Sequence, residues 1–167
     1  MQCIFIVEAD KKCGSDSRYI KELLKRVYKI SGVKISFVYM GSKSKYLKSE
    51  AMVKTLKKKY KGNSVVYMCI DTDSLSSNSQ QIKETNDVIN YSKSKGYELI
   101  WFYEDIEQVF LGNSVNKRYK KSCSEQFIAK NQIDNLSIGN LAKKSMNSIP
   151  NGSSNILIVL DKYLTRK

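Results

Sequence analysis

Apolar residues come in short blocks along this chain, and the blocks change period from one to the next. Residues 3–7, Cys-Ile-Phe-Ile-Val, are an unbroken apolar run of strand length. Gly14-Ser15-Asp16-Ser17 then supplies turn and N-cap chemistry. Ile20, Leu23, Leu24, Val27 and Ile30 recur at helical spacing until Gly32 stops the pattern. Residues 33–40 form a second strand whose first half alternates, which predicts an edge or half-exposed position. Gly41 and Ser42 open a turn, and Tyr46, Val53, Leu56 and Tyr60 share one helical face that ends at Gly62. Residues 64–70, Ser-Val-Val-Tyr-Met-Cys-Ile, are the most continuous apolar run and predict a central strand covered on both sides. Ile82 and Ile89 mark a weaker helix closed by Gly96, and residues 98–103 are a fourth strand rich in aromatics.

Strands and helices alternating at these lengths predict an α/β fold, with a mostly parallel sheet of about four strands flanked by helices. Right-handed crossovers in such sheets gather every strand's C-terminal end on one edge, where ligands bind. After Leu111 the pattern changes. Residues 112–124 read as a loop carrying the basic run Lys117-Arg118-Tyr119-Lys120-Lys121. Short helices follow around 126–130 and 137–146, then a turn at 149–154 and a last amphipathic helix over 156–164. The reading is one domain over 1–167, an α/β core at 1–112 with a helical extension at 113–167.

Composition narrows the chemistry. The chain has no histidine, which excludes Ser-His-Asp and Cys-His catalysis and His-ligated zinc. Cys3, Cys13, Cys69 and Cys123 form no CxxC pair, and Cys3 and Cys69 sit in strand-like runs. Those two read as small buried hydrophobes of a protein in a reducing, cytoplasmic compartment. No stretch is long and apolar enough to cross a membrane, and the short first run lacks the basic start of a signal peptide. The formal net charge of +13 points to a polyanionic partner such as nucleic acid. Lys43, Lys45, Lys117, Arg118, Lys120 and Lys121 are the candidate phosphate-backbone contacts, with Tyr103 and Tyr119 as possible stacking platforms, whereas Lys57-Lys58-Lys59 reads as solvated surface.

Against this basic background the acids fall at strand ends. Glu8, with Asp10 beyond it, follows the first strand, Asp71-Thr72-Asp73 ends the third, and Glu104-Asp105-Ile106-Glu107 ends the fourth, where Asp105 is placed to cap a short helix. On one sheet edge these carboxylates repel each other unless cations or protons compensate. An oxygen-only ligand set favours Mg²⁺ or Mn²⁺.

Phe5-Ile6-Val7-Glu8-Ala9 followed by a helix, then Met68-Cys69-Ile70-Asp71-Thr72-Asp73, resembles the Toprim domain, whose pattern is a Glu after strand one and Asp-x-Asp after a later strand. Three further segments are similar to its RloB-like, abortive-infection branch: Ser15-Asp16-Ser17-Arg18-Tyr19-Ile20, Ile106-Glu107-Gln108-Val109-Phe110-Leu111 and Asn151-Gly152-Ser153-Ser154-Asn155-Ile156. The chain departs from that branch at Ala9, where Gly is usual, at Val109, where Trp is usual, and in lacking a terminal His. The resemblance implies a metal-dependent nuclease acting on RNA or DNA, in phage defence, with an operon-encoded protein as a possible partner. It implies Glu8 as general acid or base and metal ligand, Asp71 and Asp73 as the metal pair, and Glu107 as an additional carboxylate of the catalytic set. The alternatives are a non-catalytic Toprim-like protein that binds nucleic acid or a partner, and a phospho-acceptor receiver domain. The latter needs a Lys after a fifth parallel strand, which the pattern lacks.

Overall fold

β1 (Gln2–Val7) is buried along its whole length, because it pairs on both sides and is covered on both faces. The computed structural model of the chain describes residues 1–73, 78–146 and 150–167. Its sheet is all parallel, with β2 (Lys34–Tyr39), β1, β3 (Ser64–Asp71) and β4 (Glu98–Phe102) in the order β2-β1-β3-β4. The alternating second strand is an edge and the most apolar one is interior, as their patterns predict. Strand parity divides the core. Cys3, Phe5, Val7, Tyr67 and Cys69 face one side with α1 (Ser15–Val27), while Ile4, Ile6, Val66, Met68 and Ile70 face the other. That second side is covered by α2 (Ser49–Lys58) and α3 (Ser79–Ser94), through Val53, Val88 and Tyr91.

The residues after α4 (Ile106–Leu111) are not an appendage. Phe127, Ile133, Leu141, Ile156, Leu157 and Leu160 complete the same core face as α1. The local forms differ from expectation in three places. The loop expected at 112–124 gives way to a 3₁₀ turn at Lys117–Tyr119 and then to α5 (Lys120–Ala129). That helix turns only Ser124 and Phe127 fully inward, so it carries no readable apolar period. The helix expected at 137–146 is reduced to the 3₁₀ turn Asn140–Ala142. Its backbone bonds go outward instead: Ser154 N donates to Asn140 O (2.8 Å) and Lys143 N to Ser154 O (3.0 Å). The last helix, α6 (Ile156–Leu160), is short and almost wholly buried, and the chain beyond it bridges back to Tyr28 through Arg166. Of the turn expected at 149–154, Ile149 lies outside the described residues. Among the described residues no helix is long and apolar enough to cross a membrane.

The segment around Ser154 covers the open edge of β4. Tyr103 N donates to Ser153 O (2.8 Å), and Ser154 Oγ donates to Trp101 O (2.7 Å). The Asn155 amide acts as a one-residue strand, accepting from Trp101 N (2.9 Å) and donating to Leu99 O (2.9 Å). An edge covered this way offers no free template for another strand. Replacing Asn155 by Ala leaves a donor and an acceptor of β4 unpaired, so Asn155→Ala should lower the unfolding free energy by about 2 kcal/mol. Asn151→Ala, in the same motif but exposed, should stay within about 0.5 kcal/mol of wild type. Equal denaturation midpoints for the two variants would contradict this role of Asn155.

Candidate active site at the carboxyl ends of the strands

Parallel pairing brings the ends of β1, β2 and β3 side by side, and Met40 N donates to Val7 O (2.9 Å) to hold the β2 turn against β1. Around these ends lies an open cavity of about 300 Å³. Glu8, Asp10, Asp16, Asp71 and Asp73 line it, together with Lys117 and Lys120. Three of the four candidate catalytic acids therefore meet at one place. The fourth, Glu107, is fully buried on α4 and does not line the cavity; Lys120 Nζ donates to its Oε2 (2.7 Å), while its Oε1 has no hydrogen-bond partner among the described residues.

Glu8, Asp71 and Asp16 are each held by a backbone N–H. Glu8 Oε1 accepts from Asp71 N (2.9 Å), and Asp71 Oδ1 accepts from Ile106 N (3.0 Å) at the start of α4. Asp16 Oδ2 accepts from Ala9 N (2.9 Å) and its Oδ1 from Ser15 Oγ (3.0 Å). Asp16 thus ties the loop after β1 back to the strand end. It does not cap α1: the N-cap position is Gly14, at φ 60°, with no side-chain cap bond. Asp105 does cap α4, accepting from Gln108 N (2.7 Å). The backbone is itself unusual here. Asp73 (φ 46°) and Glu104 (φ 67°) are non-glycine residues in the left-handed region, joined by a bond from Asp73 N to Glu104 O (2.9 Å). Such conformations cost of order 1 kcal/mol or more each and concentrate at functional sites.

Burial dominates the electrostatics. It raises Glu8 to about 7, against the opposing pull of Lys43 and the Asp71 N–H, with Asp16 and Asp73 adding repulsion. Asp71 is pushed well above the carboxylate range by burial and then by Glu8, Asp16 and Glu107. Asp16 is raised by burial despite the hydrogen bonds from Ala9 and Ser15, and Glu107 by burial despite Lys120. For Lys120, burial opposes the charge but Glu107 outweighs it, so its pKa is raised.

The lysines correct the expected division between acidic site and basic surface. Lys43 is only 5% exposed. Its Nζ lies 2.8 Å from Asp73 Oδ2, 3.3 Å from Thr85 Oγ1 and 4.0 Å from Glu8 Oε1, so it is an internal cation and not a surface guide for phosphates. Lys120 is likewise committed, to Glu107. Lys45, Lys117, Arg118 and Lys121 are exposed, and only Lys117 of these four lines the cavity. Arg118 stacks on the ring of Tyr119, which is 49% exposed, with 4.6 Å to the centroid. Tyr103 instead packs in part against the core of α2 and α3. Asp16 and the buried state of Lys43 escaped the sequence reading. An acid after a turn glycine looks like a cap, and a lysine between serines looks like surface.

Among the described residues, no group of three or more His, Cys, Asp or Glu side chains is spaced to enclose a metal ion. The donors nevertheless fit a hard cation. Glu8 and Asp71 each commit one oxygen to a backbone N–H and leave the other uncommitted among the described residues. Mg²⁺ is commonly held by one or two carboxylates, with substrate and water completing its shell.

No protein-family model matches the chain, and no curated protein matches it. Among solved structures, a de novo designed Rossmann-fold protein is similar at 13% identity and a TM-score of 0.34, over 75% of this chain and 95% of that one.

The raised acid gives a signed pH dependence. A carboxyl that titrates at about 7 when folded and 4.5 when free binds its proton more tightly in the folded state. Its stabilising contribution is complete below pH 4.5 and is lost as pH rises to about 7. In EDTA, stability should fall over that window by up to about 3 kcal/mol for this group. Glu8→Gln, which keeps an acceptor for Asp71 N, should flatten the fall. Denaturation midpoints between pH 4.5 and 8 that coincide for wild type and Glu8→Gln would refute the assignment.

Proposed function

We propose that this protein is a metal-dependent nuclease that cleaves phosphodiester bonds in RNA or DNA, using Mg²⁺ or Mn²⁺. The observation that carries this reading is the meeting of Glu8 and Asp71 with Lys117 and Lys120 around one open cavity at the strand ends. Acids suit a divalent cation, and the lysines suit the phosphate that accompanies it. Bound by Glu8 and Asp71, the metal ion would supply Lewis-acid polarisation of the phosphoryl oxygen. Glu8, held near neutrality by burial, is suited to take a proton from the attacking water. Asp71 N–H fixes the Glu8 carboxylate in place for that transfer. Asp73, whose Oδ2 is paired with Lys43, would join the metal ligands through its other oxygen. Lys117, Arg118 and Lys121 draw the polyanion towards the cavity, and Lys120 holds Glu107 and neutralises it.

The order of Glu8 and Asp71-Thr72-Asp73 along the chain, similar to the Toprim pattern, supports the same chemistry and with it a role in phage defence. Four free cysteines suit a reducing, cytoplasmic setting.

Single-turnover cleavage of tRNA, single-stranded DNA and plasmid should require Mg²⁺ or Mn²⁺. Glu8→Gln should lose roughly 10²-fold in rate and, because it removes one of the two ligands, should also shrink the metal-induced rise in melting temperature. Asp71→Asn should lose both. Binding of nucleic acid with no cleavage in either metal would favour the non-catalytic alternative, and full activity in Asp71→Asn would rule out this site.

A further inference from the structure

A second cavity, larger than the acidic one, lies elsewhere and has a different chemistry. It holds about 440 Å³ between the C-terminal half of α4, the 3₁₀ turn Gln132–Asn135, the turn Asn140–Ala142 and the loop before β4's edge cover. That volume falls in the usual range of small-ligand sites. In a chain with 29 Lys and Arg and 16 Asp and Glu, no charged side chain among the described residues lines it. Its polar wall is instead built from side-chain amides: Gln108, Gln132, Asn135, Asn140 and Asn151. Its apolar lining comes chiefly from half-buried Leu111 and Leu136, since Val109 and Phe110, which also border it, are almost wholly buried in the core. A smaller cavity of about 230 Å³ shares Leu111 and Gln132 with it, adds Asn113 and Gln126, and is also without a charged lining residue among the described residues.

The walls are fixed. Gly112 N donates to Gln108 O (3.1 Å), Asn140 N to Ser137 O (3.0 Å) and Ser154 N to Asn140 O (2.8 Å). Gly152, at φ 73°, brings the loop so close that a Cβ there would lie 3.0 Å from Gln108 O. The Gln108 amide is used within the protein, donating to Gly112 O (2.7 Å). Those of Gln132, Asn135 and Asn151 make no hydrogen bond to another described residue.

An amide offers a donor and an acceptor side by side, the pattern that matches the edge of a nucleobase, and an apolar lining matches its face. The absence of charge disfavours a phosphate or carboxylate at this place. We propose that this cavity is a binding site for a nucleobase, presented by a single strand whose backbone runs to the acidic cavity; only that choice of source rests on the nuclease reading. The two cavities are joined through α4. Its Glu107 is paired with Lys120 of the acidic cavity, and the next residue, Gln108, begins the amide wall.

The test uses the full chain in EDTA, so that binding is read without cleavage. Fluorescence anisotropy compares labelled single strands of one base type with strands of matched length bearing abasic residues. Wild type should favour its preferred base over the abasic strand by roughly tenfold. Gln132→Leu and Asn135→Leu, changes at a half-buried and an exposed side chain, should erase that preference while leaving binding of the abasic strand unchanged. Independently of the variants, free nucleosides should shift the side-chain amide NMR signals of Gln132 and Asn135. Such shifts without any strand preference would identify a free nucleoside as the source and uphold the site. Equal binding of base-bearing and abasic strands, with no nucleoside-induced shift, would overturn it even if the protein cleaves nucleic acid. A base preference in a protein that does not cleave would uphold the site and remove the nuclease reading alone.

Discussion

Two carboxylates, Glu8 and Asp71, are largely withdrawn from water at the ends of neighbouring central strands, and the surrounding structure is arranged to make that tolerable. An ionised carboxylate buried without partners is far too costly to persist. Glu8 is met by the Asp71 N–H and Asp71 by the Ile106 N–H, so the first turn of α4 is fixed by the site it flanks. Lys43 is drawn inside to within 4.0 Å of Glu8 and is anchored by Asp73 and Thr85. These partners do not neutralise the cluster, since burial still raises both acids. A core assembled for stability alone has no use for such a group at the end of its most buried strand.

The fold supplies the rigidity this requires. β1 and β3 are interior strands, covered on both faces, so the positions of Glu8 and Asp71 are set by the sheet itself. The chain leaves β3 and β4 through Asp73 and Glu104, both left-handed, and the bond between them holds the two exits together. Strain kept beside buried charge is the pattern expected where geometry is conserved for chemistry rather than for stability. α4 contributes Gln108, Val109, Phe110 and Leu111 to the amide-lined cavity and, through Glu107, holds Lys120 of the acidic one.

The strands were legible in the sequence because each is a continuous apolar run bounded by glycine or polar turns, and the half-alternating run of β2 correctly marked an edge. The gathering of Glu8, Asp71 and Asp73 was legible too, because parallel topology converts position after a strand into position on an edge. Lys43 was not, since burial of a lysine depends on Asp73 and Thr85, which are remote in sequence. Nor was α5, whose inward face is reduced to Ser124 and Phe127. The segment 137–146 misled because its backbone partners lie at Ser154, and local periodicity carries no record of such pairing. The motif at Asn151-Gly152-Ser153-Ser154-Asn155, noted for its resemblance to a family pattern, proves to be the cover of the β4 edge.

The central claim is that Glu8 and Asp71, whose pKa values burial raises, are ligands for a divalent cation. Calorimetric titration of Mn²⁺ into the full chain, repeated in buffers of different ionisation enthalpy, reads both affinity and proton exchange. If Glu8 and Asp71 are the ligands, binding at pH 6 must release protons, and affinity must rise with pH until Glu8 is ionised, near 7. An affinity independent of pH with no proton release, or no binding at millimolar metal, would contradict the account.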